Sequence, residues 1–455
     1  MRGRSRSGGR YPYWVRLAAT VLAVMLPGAL YADEPSPKRQ APDYSGRPPE
    51  PATAGEVALW VPRVVLSPLY LVTEYVIRWP LSVAITAAEH ADIPLKLYDF
   101  FTFGPEHKAG FAPVGLIEFG FNPSVGVYVF WNDALFRGDS WHLHAEAWPS
   151  RWLAASLTER IQIDSAHAVQ FRIEGVRRPD YVFYGIGPKT LQSYQSRYSE
   201  DRLEAGGYYE WRFWRSSRIL AGVGLRAVST TNGRYDGDPS LTQEAATGAF
   251  AVPYGFDSAY TAEYNRVLLV LDSRRPRPSP GSGLRVEAQA EQGSEVQQLP
   301  GSAWVRYGAT AGGYLDLNQR GRVLGLAVVT VFADPLGDRP LPFTELASLG
   351  GDGPMRGYYP GRLVGRSAAA ASLHYVWPIG PWLGGNLEAA VGNVWGEHLQ
   401  GFQLRQLRFS GDIGLSSLTA GDYPMELLFG VGSETFEHGG TIDSFRAALS
   451  VNHGF

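Results

Sequence analysis

From Gly110 onward, hydrophobic and polar residues alternate along the chain with a period of two. Over 203–213, Leu203, Ala205, Gly207, Tyr209, Trp211 and Phe213 fall on one face; Glu204, Gly206, Tyr208, Glu210 and Arg212 fall on the other. Leu284, Val286, Ala288 and Ala290 likewise oppose Arg285, Glu287, Gln289 and Glu291. Val169, Phe171 and Ile173 oppose Gln170, Arg172 and Glu174, and Val305, Tyr307, Ala309 and Ala311 oppose Arg306, Gly308 and Thr310. Alternation of this kind places residues i and i+2 on the same side of a pleated strand. It predicts sixteen strands, near 112–121, 124–132, 140–149, 152–163, 167–176, 199–213, 217–230, 257–272, 282–292, 304–316, 321–334, 367–377, 383–394, 404–416, 423–433 and 442–454.

The links between these strands are unequal. Those at 177–198, 231–256 and 335–366 are long, rich in Gly, Pro and Ser, and all follow odd-numbered strands. Most links after even-numbered strands are short, such as Pro378 to Trp382. An even strand count, with short turns at one end and long loops at the other, is the pattern of a bacterial transmembrane β-barrel.

The first quarter of the chain has a different texture. Arg2, Arg4, Arg6, Arg10 and Arg16 precede an apolar stretch from Leu17 to Leu26, broken by Pro27 and Gly28, with a small residue at Ala32. This predicts a secretory signal peptide over 1–32, too short to be a spanning helix, and hence an exported chain of bacterial type. Residues 33–53 read as a Pro- and Ser-rich linker. Residues 54–110 are apolar with helical spacing in places, but Pro62, Pro68 and Pro80 interrupt them and Arg63, Glu74 and Arg78 lie inside. Short helices on a membrane surface or at the periplasmic mouth fit that pattern better than one spanning helix. The barrel is assigned to 111–455.

Composition bears on one ambiguity, since alternating strands also build soluble sandwiches. The 53 Gly, the 13% aromatic content and the small residues on the apolar faces suit a lipid-facing wall better than a close-packed core. No residue is Cys, so neither disulfides nor thiolate metal sites are available, and a net charge of -3 offers no basic stripe for nucleic acid. The fold class expected is all-β: a 16-stranded antiparallel transmembrane barrel with an N-terminal helical segment.

The link after the eleventh strand reads PFTELASLGGDGPMRGYYPGRLVG, from Pro342 to Gly365. Its Gly350, Gly351, Arg356, Gly357, Tyr358 and Arg362 resemble the signature loop of the BamA/TamA-like outer-membrane protein superfamily, also called bacterial surface antigens. Tyr375-Val376-Trp377-Pro378-Ile379, Gly392-Asn393-Val394-Trp395 and Phe409-Ser410-Gly411-Asp412-Ile413-Gly414-Leu415 follow in matching order. The terminal Phe455 resembles the signal that such barrels present to their assembly machinery. The resemblance implies that the loop folds back into the lumen and that Arg356 meets a lumenal carboxylate. In the family an Asp stands two residues before the Gly of the GxVW-like segment; here that position is Ala390. Glu388, on the same strand face, is the expected partner, with Asp412 as the alternative.

No nucleophile elbow, HExxH or phosphate loop is present, and the reading is non-enzymatic, with no cofactor and no metal. His142, His144 and Glu146 share a strand face, a spacing open to metal ligation but read as ordinary lumenal polarity. The resemblance implies insertion or translocation of other proteins in the outer membrane. The partners would be outer-membrane lipids, unfolded outer-membrane client proteins and the barrel assembly machinery. Residues 33–110 show no pattern of the polypeptide-transport-associated domains that family insertases carry. A passive or plugged pore, or a structural surface barrel, is the alternative; an outer-membrane lipase is a third.

Overall fold

The structure is a computed structural model that describes residues 64, 67–148, 152–275, 281–297, 301–380, 383–417 and 425–450. The signal-peptide and linker segments and Phe455 lie outside the described residues. Sixteen strands form the wall: β1 (Ala109–Glu118), β2 (Ser124–Asn132), β3 (Asp139–Trp148), β4 (Trp152–Gln162), β5 (His167–Phe183), β6 (Ser196–Trp214), β7 (Ser217–Asn232) and β8 (Ala259–Asp272). They continue as β9 (Gly283–Glu295), β10 (Ala303–Asp316), β11 (Val323–Pro335), β12 (Ser367–Pro378), β13 (Leu383–Trp395), β14 (Arg408–Ser417), β15 (Glu426–Ser433) and β16 (Ile442–Ser450). Each pairs antiparallel with the next, and β16 pairs with β1, closing the sheet into a barrel without a free edge.

Burial is inverted relative to a soluble protein. Leu203, Tyr209, Trp211 and Phe213 are exposed, and Leu284 is 65% exposed, whereas Glu210 and Arg226 are buried and Glu291 is 7% exposed. Apolar residues point outward and charges point into the lumen. This arrangement is stable only where the outer face meets lipid. No helix of the described residues is long and apolar enough to cross a membrane.

Two regions depart from the expected boundaries. β5 and β6 run on past 176 and begin before 199, because Pro179 sits in a register shift between Arg178 and Tyr181 rather than ending the strand. A proline tolerated at a bulge lets the ladder resume, and Tyr181 then stacks on Tyr198 at 5.4 Å. β14 starts at Arg408 rather than 404, since Leu404–Gln406 form a tight 3₁₀ turn. Gln406 of that turn accepts from Trp395 Nε1 at 3.2 Å.

Ahead of the barrel lie α1 (Ser67–Leu71), a π-helical turn (Val72–Arg78), α2 (Trp79–His90) and α3 (Ile93–Phe101). Leu69, Ile77, Leu81, Ile85 and Leu97 pack against Leu324, Tyr375, Trp377, Leu387 and Leu415. Those wall residues alternate with lumenal His374 and Glu388 and share a face with exposed Leu373, Leu326 and Ile413. The helices therefore lie on the outside of the barrel, over the turn-side ends of β11–β14, and not in the lumen. Arg322 pins them there: it donates to Tyr375 Oη at 2.9 Å and Thr73 Oγ1 at 3.3 Å, pairs with Glu74, and stacks on Tyr70. The opposite helical face leaves Tyr75, Val76, Trp79 and Val83 exposed.

Candidate functional site: the lumenal loop and the closing seam

Residues 336–366 leave β11 and return to β12 by way of the lumen. A short hairpin, Ala347–Leu349 paired with Leu363–Gly365, carries the tip inward. At the tip Gly350 and Gly351 take φ of 100° and 67°, a left-handed backbone that favours glycine. Gly350 N–H donates to Pro354 O and Gly351 N–H to Tyr358 O, each at 2.9 Å. Leu349, Met355, Tyr358 and Leu363 then pack on Ala368, Ala370, Ala390 and Val394 of β12 and β13.

The tip is held against the last three strands. Gly357 N–H donates to Ser410 Oγ of β14 at 2.9 Å, and Ser444 Oγ of β16 donates to Gly357 O at 3.0 Å. A Cβ on Gly357 would stand 2.0 Å from Val431 O of β15, and one on Gly430 would stand 2.8 Å from Gly357 Cα. Two glycines face each other where loop and wall make backbone contact. The Tyr358 hydroxyl lies 2.8 Å from Phe409 O and 2.6 Å from Ser433 O, and accepts from Ser433 N–H at 2.7 Å.

Arg356 pairs with Glu426 of β15 at 2.5 Å, while Asp412 lies at 3.9 Å. The expected Arg356–Glu388 pair is not formed: Glu388 instead bonds to His374 Nδ1 at 2.8 Å. The reason is depth. The loop tip reaches β15, beyond β13, and Ala390 joins the apolar packing under the loop, where a carboxylate would be poorly solvated. Arg362, fully buried, donates to Thr190 Oγ1 at 2.8 Å and Thr190 O at 3.0 Å in the link between β5 and β6, and stacks on Tyr184. Burial, reinforced by neighbouring Arg408, pulls the Arg362 guanidinium down to about 10. The motif residues Gly350, Gly351, Arg356, Gly357, Tyr358 and Arg362 thus act as one fastener between loop, wall and outer cap.

Three features were not anticipated from the sequence. Arg226 of β7 binds Glu345 of the loop at 3.0 Å as well as Glu204 and Glu291, tethering the loop's first half to the opposite wall. Glu426 is the Arg356 partner. Finally, Arg446 of β16 donates from Nε to Glu118 of β1 at 2.6 Å, from Nη1 to Gly351 O, and from Nη2 to Asp352 at 3.3 Å. This arginine joins both sides of the closing seam to the loop tip. Its one visible signal was an Arg on the inward face of the final strand.

Among the described residues, which end at 450 on the last strand, the seam pairs Ala448 with Glu118, Leu449 with Ile117 and Ser450 with Leu116. Elsewhere, His144 meets Glu146 at 2.7 Å, and Glu146 also takes the Ser124 hydroxyl. The ring of His142 meets Tyr128 edge-on. These lumenal groups are satisfied by one another. Asp334, Glu397 and His398 bring potential ligand atoms within 4.8 Å, but Arg366 bridges Asp334 and Glu397 and supplies the counter-charge there.

A closed barrel of sixteen antiparallel strands, with a glycine-hinged loop fastened in its lumen by a buried arginine, defines a class of membrane protein. The Omp85 superfamily domain matches residues 185–444, and the chain belongs to that superfamily. Its fold is similar to the crystal structure of BamA from Haemophilus ducreyi lacking POTRA domains 1–3, with a TM-score of 0.53 and 14% identity over 76% of this chain and 70% of that one. CdiB from Acinetobacter baumannii aligns with a TM-score of 0.45 and 9% identity, covering 75% of this chain and 59% of that one. Comparison with curated proteins finds no matching sequence.

Proposed function

We propose that the chain resides in the bacterial outer membrane and acts, without enzymatic chemistry, as an insertase or translocase that aids outer-membrane protein assembly or protein passage. The observation that carries this reading is the closing seam between β16 and β1, clasped from inside by Arg446 and tied through it to the loop tip. If release of the Arg446 clasp lets the wall part at this seam, the parted strand edge offers unpaired backbone groups to an incoming client strand. The clients would be unfolded outer-membrane proteins, delivered with the barrel assembly machinery. The helices of 67–101, docked outside the wall with an apolar face outward, would lie in the lipid surface beside this barrel. Depletion of the protein followed by an inventory of outer-membrane proteins tests the proposal. Loss of folded barrel proteins is expected; an unchanged inventory overturns it.

A plugged pore is the second reading, favoured by the loop packing that fills the lumen between Arg226 and Glu426. Deleting Gly350–Gly365 and recording planar-bilayer conductance separates the two. A large conductance rise without any client defect supports the pore.

A further inference from the structure

Below the loop tip lies a lumenal cavity of about 670 Å³ lined by the walls of β10–β15. Four carboxylates face it, Asp352, Glu388, Asp412 and Glu426, against one arginine, Arg356. The strand register sets three of the lining groups in one row: His374 opposite Glu388, and Glu388 opposite Asp412. Directly opposed like charges repel, and a register that aligns Glu388 with Asp412 concentrates negative charge on one rung.

The hydrogen bonding is as lopsided as the charge. Arg356 spends its close contact on Glu426, and His374 bonds to one oxygen of Glu388. Among the described residues Glu388 Oε1 and both oxygens of Asp412 have no hydrogen-bond partner, and Arg356 Nη1 comes no nearer to Asp412 than 3.9 Å, although Asp412 is only 4% exposed. A buried carboxylate in that state calls for a counter-charge or donors. The unused atoms are hard oxygens, side by side on neighbouring strands, opening on a cavity with room for bound water.

We propose that Glu388 and Asp412 hold a divalent cation of the Mg²⁺ or Ca²⁺ class in the lumen, next to Arg356 and beneath the loop tip. Carboxylate oxygens with the remaining positions taken by water are the donor set of such ions, and the imidazole of the rung, His374, already engages Glu388 through Nδ1 and Ser372 through Nε2. The ion neutralises the charge on the rung that Arg356, held close by Glu426, compensates only in part, and so supports the wall on which the loop rests.

The test is calorimetric titration of the purified, chelator-treated full-length barrel in detergent with Ca²⁺ and with Mg²⁺. One saturable site per barrel is expected for at least one of the two ions. Asp412→Asn and Glu388→Gln should each weaken it by about tenfold or more. Glu397→Gln, in the exposed Asp334–Glu397–His398 cluster, should leave it unchanged. Folding of each variant is checked by heat-modifiable migration. If Asp412→Asn does not fold, Glu388→Gln and the wild-type titration still decide. Absence of saturable binding to the wild-type barrel, binding unaltered in the lumenal variants, or binding lost in Glu397→Gln overturns the proposal.

Discussion

Arg446 on the last strand and Glu118 on the first meet at 2.6 Å across the line where the barrel closes, and both side chains are almost completely buried. The same guanidinium holds Gly351 O and Asp352 of the loop tip, so seam and loop share one residue. Breaking a buried pair by removing one partner leaves an uncompensated charge, with a cost of about 3–5 kcal/mol. Arg446→Gln should therefore lower the urea midpoint of barrel unfolding, and Glu118→Gln should do so by a similar amount. The double variant should cost less than the sum of the two. Strict additivity in that cycle would show that the pair does not couple the strands.

The loop arginine supplies a second cycle. Arg356 contacts Glu426 at 2.5 Å, whereas Glu388 bonds to His374. A coupling of about 1–3 kcal/mol is expected between Arg356→Ala and Glu426→Ala, and little between Arg356→Ala and Glu388→Ala. The reverse order of couplings would return the role to Glu388.

Backbone contact between loop and wall predicts a sharp size limit. Alanine at Gly357 would place its Cβ 2.0 Å from Val431 O, and the obstacle is backbone that cannot rotate away. Gly357→Ala should destabilise by about 1–3 kcal/mol or expel the loop tip, seen as raised protease cleavage at 350–362. Gly337→Ala, exposed, with open space around it and no positive φ, serves as the control and should be near neutral.

The barrel was legible in the sequence because its wall obeys a local rule. Residues such as Leu203, Tyr209 and Trp211 alternate with Glu204 and Glu210 whatever the rest of the chain does, and sixteen such runs set strand number and loop placement. The loop motif was equally local, since Gly350, Gly351 and Gly357 answer to turn geometry and close approach. Its partners were not. Which carboxylate meets Arg356 depends on how far the tip travels across the lumen, and no spacing along 342–365 encodes that depth. Glu118 and Arg446 stand 328 residues apart and become neighbours only when the sheet closes. The Pro breaks and internal charges of 54–110 announced short helices, with their seat left open between the membrane surface and the periplasmic mouth. Their seat on the outer wall rests on Arg322 meeting Thr73 and Glu74, a contact between segments with no shared pattern.

That seat yields the last prediction. Arg322 is buried between the helices and Tyr375, and its removal takes away every polar tie the π-helical turn makes to the barrel among the described residues. Arg322→Ala should loosen the helices while the strands stay paired, so limited proteolysis should release fragments cut within 67–101 from a barrel that still migrates as folded. On the opposite face, Tyr75 and Val76 are 65% and 67% exposed and touch whatever surrounds the barrel. If that surroundings is lipid, the paired substitution Tyr75→Asp and Val76→Asp leaves stability in detergent unchanged but reduces the blue shift of tryptophan emission on transfer to vesicles, since Trp79 lies on the same exposed face. An unchanged shift would place that face in water, and the helices would then be a brace on the wall with no share in the membrane surface.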